Sequence, residues 1–149
     1  MWTILLVATL VVIVLAWILF ATPAPVLAPT TSTSTPRSIE TPFMSDKVTI
    51  SNPLPHATVG KTFTVTGEAR GAWYFEASFP VQVRDANNNK VGQGIAQAQG
   101  DWMTESFVPF EAAVTVSGYR GPATLVLMKD NPSGLPENDD SVEIPVVIQ

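Results

Sequence analysis

From Lys47 to the C-terminus, apolar residues recur at every second position in short runs, and clusters of turn-forming residues separate the runs. Val48 and Ile50 alternate with polar neighbours, and Phe63 and Val65 alternate with Thr62, Thr64 and Thr66. The longest alternation places Trp73, Phe75, Ala77, Phe79, Val81 and Val83 on one face and Tyr74, Glu76, Ser78, Gln82 and Arg84 on the other. This is the period of a strand with one buried side. It predicts Trp73, Phe75 and Phe79 in the core and Tyr74 outside it. Pro80 cannot donate to a ladder and predicts a bend or a sheet edge. Residues 85–90 form a turn cluster. Val91 and Ile95 mark a strand broken by glycines. Val108, Phe110, Ala112, Val114 and Val116 share a face, Leu125 and Leu127 centre a further strand, and Val142, Ile144, Val146 and Ile148 close the chain. No segment after residue 46 sustains a period of 3.6. About seven short strands with regularly spaced turns predict an all-β fold, an immunoglobulin-like antiparallel β-sandwich over residues 46–149.

The N-terminal pattern is different. Residues 1–20 contain no charge, no Pro and no Gly. A helix of that length spans about 30 Å, the hydrocarbon thickness of a bilayer. Trp2 suits a membrane interface, and Pro23 and Pro25 stop the helix after the apolar run. Residues 1–21 are therefore read as a transmembrane helix or signal anchor. The competing reading is a cleaved signal peptide, which would leave a secreted protein. Against it, no Lys or Arg precedes the run, the run exceeds the ~7–15 residues of a typical signal core, and Ala24 and Ala28 are each followed by Pro. Residues 22–45 are rich in Pro, Thr and Ser, cannot bury enough apolar surface to fold, and read as a disordered stalk. The nearest basic residue is Arg37, so charge asymmetry leaves the orientation undecided.

Composition removes several kinds of chemistry. The chain of 149 residues has no Cys and one His. Disulfides, thiolate nucleophiles, thiolate zinc sites and a lipid-bearing cysteine are excluded. A net charge of −5 argues against nucleic acid as a partner, since the phosphate backbone demands a basic footprint. His56 lies in a turn-like loop, and no Gly-x-Ser-x-Gly elbow is present to expose a nucleophile. Glu76 and Glu111 fall on expected strands and could face one another as the carboxylate pair of a glycoside hydrolase, with Arg70 or Arg84 as simpler structural partners. The loop 130–140 holds Asp130, Asn131, Glu137, Asp139 and Asp140, hard oxygen donors of the type that binds Ca²⁺. Their spacing matches no EF-hand, and a turn whose side chains bond its own backbone explains the same residues. Tyr74, Trp102 and Phe107 are candidate exposed aromatics for stacking on sugar rings or for protein contact.

Four motifs in order carry a family resemblance: Gly67-Glu-Ala-Arg-Gly-Ala-Trp-Tyr-Phe-Glu-Ala-Ser-Phe-Pro-Val81, Ala98-Gln-Gly-Asp-Trp-Met-Thr104, Pro109-Phe-Glu-Ala112 and Lys129-Asp-Asn-Pro-Ser-Gly-Leu-Pro-Glu-Asn-Asp-Asp-Ser141. Together they resemble the bacterial spore-germination immunoglobulin-like domain, the Ig-like domain associated with GerM proteins. The resemblance spans roughly residues 46–149. It implies an Ig-like sandwich on the extracytoplasmic side of the membrane, acting as a binding or interaction module, with no catalytic residues and no cofactor. The expected function is therefore a membrane-anchored module that binds an envelope protein or glycan. The alternatives are a purely architectural spacer without its own ligand and, remotely, a cell-wall glycoside hydrolase. An exposed aromatic cluster at Tyr74, Trp102 or Phe107 distinguishes the binder from the spacer.

Overall fold

The computed structural model describes residues 41–149. The expected membrane helix over 1–21 and most of the expected stalk lie outside the described residues. The described residues form nine strands: β1 (Phe43–Met44), β2 (Val48–Asn52), β3 (Thr58–Val59), β4 (Thr62–Arg70), β5 (Ser78–Asp85), β6 (Lys90–Ala98), β7 (Phe107–Val116), β8 (Gly121–Met128) and β9 (Ser141–Ile148). Seven of them have five residues or more. The two remaining pieces, β1 and β3, are two residues long, too short to register as an alternation. β1 also falls inside the stretch assigned to the stalk, so regular structure begins before residue 46.

The strands follow one another in the order β1-β2-β4-β7-β6-β5-β8-β9-β3, antiparallel throughout except for β3 beside β9. β6 pairs with β5 on one side and β7 on the other, and so joins two halves of a curled sheet. The halves β2-β4-β7 and β5-β8-β9 enclose one core, as in an Ig-like sandwich. Val65 and Phe110 come from the first half and Phe79, Leu125 and Ile144 from the second, all buried. The rings of Phe79 and Phe110 meet edge to face across it, 5.0 Å between centroids, a favoured aromatic geometry.

The alternation in β4, β7 and β9 is the one expected. In β7 every even residue from Val108 to Val116 is buried, and in β9 Val142, Ile144, Val146 and Ile148 are buried. The long run beginning at Trp73 is not one strand. Gly71–Trp73 is a 3-10 turn, and β5 starts only at Ser78. Between them Glu76 and Ala77 adopt positive φ, 50° and 60°, a left-handed conformation that stops a ladder. Pro80 pairs with Ile95 on the β6 side and lies just outside the β5–β8 ladder, which begins at Val81. Its missing N–H therefore costs that ladder nothing.

In β6 the inward positions are small: Gly92 and Ala96 are buried, while Ile95 faces solvent at 52% exposure. A Cβ on Gly94 would come within 2.5 Å of the Ala113 carbonyl oxygen of β7. At the turn after β5, Asp85 accepts from the backbone N–H groups of Asn87 and Asn89 and from the Asn89 side chain. Those bonds, the Asn89 side chain first, hold its carboxyl below the usual pKa.

Candidate binding surface

β4 ends, β5 begins, β6 ends, β7 begins, β8 ends and β9 begins at the same end of the domain. Three loops therefore gather there: 71–77, 99–106 and 129–140. The turn 45–47, between β1 and β2, joins them. Backbone bonds tie them together. Gly71 N–H donates to the Ser106 carbonyl (3.1 Å), Asp130 N–H to the Trp73 carbonyl (3.0 Å) and Arg70 N–H to the Lys47 carbonyl (2.9 Å). The Arg70 guanidinium donates to the carbonyls of Asp46 and Glu105 and lies over the Phe107 ring, 4.2 Å from its centroid. The Lys47 ammonium pairs with the Asp140 carboxylate, and this bond and charge raise the Lys47 pKa. Gly71 is required by proximity, because a Cβ there would lie 1.9 Å from the Thr104 carbonyl oxygen.

The three aromatic candidates meet different fates at this end. Tyr74 is 4% exposed, a correction to its expected outward position. Its hydroxyl donates to the Val108 carbonyl at 2.7 Å, and its ring packs edge-on against Phe79. Burial raises its phenol pKa well above the ordinary value. Trp102 is half-buried against the core. Phe107, also half-buried, is covered on one face by Arg70. No shared exposed patch forms from the three. Phe75, expected in the core, is instead 41% exposed. Both reversals follow from the turn at 74–77, where the chain changes the side it presents.

Apolar exposure at this end comes from residues that the alternation did not single out. Met103 on the loop 99–106 is 77% exposed, Leu135 on the loop 129–140 is 50%, and Met44 beside the turn 45–47 is also exposed. With Phe75, each of the three loops carries one exposed large apolar side chain. The sequence signal was available: an unbranched or aliphatic residue within a polar turn cluster, with no partner at strand or helix spacing.

The acidic loop does not assemble a ligand set. Asn131 donates to the Leu135 carbonyl and to the Asp139 carboxylate, and Asp140 is taken by Lys47. Ser133 accepts from the Leu135 N–H and the Asn138 side chain. A 3-10 turn over Pro136–Asn138 completes the loop. Among the described residues, no three His, Asp or Glu side chains gather as metal ligands. Asp130, Asn131, Glu137, Asp139 and Asp140 are therefore not brought together as the calcium set that their density suggested.

The catalytic alternatives are likewise dispersed. His56 is an exposed loop residue with φ 65°. Glu76 lies in the turn before β5 rather than on a strand, and Glu111 stands on the outer face of β7 between Thr66 and Gln97. The arginines named as their partners bond elsewhere, Arg84 to Gln82 and Asn88. An open depression on β6 and β7, lined by Lys90, Gly92, Gln93, Thr115 and Ser117, holds no carboxylate.

No curated protein and no solved structure matches the chain. The sequence model of the immunoglobulin-like domain of bacterial spore germination does match, over residues 47–134. That span is more than half of the chain and runs from β2 through β8 into the loop 129–140. The all-β curled sheet described above agrees with it. The chain belongs to the family of immunoglobulin-like domains of bacterial spore germination.

Proposed function

We propose that this protein is a membrane-anchored, extracytoplasmic binding module of the bacterial cell envelope, without catalytic activity, and that its loop end is the contact surface. The family supports a binding or architectural domain in general terms. The observation that favours binding is the set of exposed apolar side chains, Phe75, Met103 and Leu135, one on each of three loops at one end. Exposed apolar groups gathered in one region mark interaction sites on soluble domains. Loops carried on a rigid sheet are where such domains place recognition.

The architectural reading has its own support, because Tyr74 is buried and Phe107 is covered by Arg70.

Photo-cross-linking separates the two. A photoreactive residue is placed at 75, 103 or 135 in the full chain, in membranes of cells that produce it, with position 113 on the outer face of β7 as control. Adducts from the loop positions and none from 113 are expected. An absence of adducts from all three loop positions overturns the binding reading in favour of the spacer. In the same membranes, the protein is expected to stay in the pellet after an alkaline wash. Release by that wash overturns the anchor.

A further inference from the structure

Charge is segregated between the two ends of the domain. The turn 45–47 carries one carboxylate, the loop 71–77 one, the loop 99–106 two and the loop 129–140 four. Against these eight stand three cations, Lys47, Arg70 and Lys129. All three are engaged locally, by the Asp140 carboxylate, by backbone carbonyls and the Phe107 ring, and by the Asn138 carbonyl. The opposite end has the reverse balance: Lys61, Arg84, Lys90 and Arg120 stand there against Asp85. The loop end thus combines exposed apolar side chains with a net negative field, while the opposite end is positive.

We infer that the loop end recognises a cationic partner surface that also presents apolar side chains, such as a Lys- or Arg-rich amphipathic protein segment. This rests on the proposed binding role and adds the partner's chemistry. Opposite potentials steer encounter and fix orientation, and like charge repels wrong partners. The apolar groups supply the short-range contact that charge alone lacks. A neutral glycan offers no charge for that field to act on, and polyanionic wall polymers would be repelled by it.

The test uses the full chain in a neutral detergent. The probes are a labelled peptide of alternating Lys and Leu, its Glu and Leu counterpart, and purified peptidoglycan. Two triple variants remove equal charge from different places. One carries Glu76→Gln, Glu105→Gln and Glu137→Gln at the loop end; the other carries Glu68→Gln, Glu111→Gln and Glu143→Gln on the strands. The expected result is binding of the Lys peptide alone. The loop-end triple weakens it about tenfold, which corresponds to three exposed charges, and the strand triple leaves it within about twofold. Affinity falls as salt rises from roughly 20 mM to roughly 500 mM.

Equal weakening by both triples shows a response to overall charge and overturns the inference. So does preference for peptidoglycan or the Glu peptide, or self-association that the loop-end triple abolishes. Those results leave the loop end as a binding site if cross-linking from 75, 103 and 135 persists. Loss of that cross-linking brings down the binding reading itself.

Discussion

The hydroxyl of Tyr74 ties the loop 71–77 to the first residues of β7. It donates to the Val108 carbonyl from a side chain that is 4% exposed, so its removal takes away a buried hydrogen bond. A Tyr74→Phe substitution is expected to cost about 1–2 kcal/mol at neutral pH, measured by urea unfolding. The raised pKa adds a pH signature. The folded state favours the neutral phenol, so the contribution of Tyr74 is complete below the unfolded pKa of about 10 and is lost as pH rises above it. The stability gap between the parent and Tyr74→Phe should therefore narrow above about pH 10; a gap that widens there contradicts the burial argument. Nothing in the residue's position disclosed this role. Alternation put Tyr74 outside because it assumed one continuous strand, and no Gly, Pro, Asn or Asp marks the turn that follows. The left-handed positions are taken by Glu76 and Ala77, residue types that carry no turn signal.

Legibility at the element scale depended on how much volume each strand puts into the core. β7 and β9 place large aliphatics and Phe110 inward at every second residue, and their faces could be read directly. β6 does the opposite. Its inward side faces the closely approaching β7 backbone, so Gly92, Gly94 and Ala96 stand there and Ile95 points out. Hydrophobicity then labels the wrong face, because the constraint is space rather than transfer from water. The same constraint acts at Gly71, where the 3-10 turn meets the loop 99–106. Gly71→Ala drives a Cβ to within 1.9 Å of the Thr104 carbonyl oxygen and 2.4 Å of that of Trp102. Backbone must move to admit it, and a loss of about 2–3 kcal/mol is expected. Gly60→Ala is the control, since its nearest neighbour would be 3.7 Å away, and its effect should stay within about 0.5 kcal/mol. Equal effects in the two variants would show that backbone entropy, not the close approach, governs both.

At the scale of the whole molecule, the family signature and the folded core do not coincide. The matched span ends at residue 134, inside the loop 129–140, while β9 begins at Ser141. Yet β9 pairs along the full length of β8 and holds β3 on its other side. It also adds Val142, Ile144, Val146 and Ile148 to the core. Burying four such side chains is worth on the order of 6–12 kcal/mol at about 1.5–3 each. That is as large as the ~5–15 kcal/mol net stability of a typical domain. Removing β9 would also uncover the apolar inner face of β8 and give β8 a free edge, a template for pairing with other chains. A fragment of residues 41–134 is therefore expected to lack a cooperative urea transition and to aggregate, while residues 41–149 unfold in one step by circular dichroism. A cooperative transition in the shorter fragment would mean that β8 and the matched region close the core without β9. The sandwich would then be built around the family motif alone, and β9 would be an added edge rather than part of the folding unit.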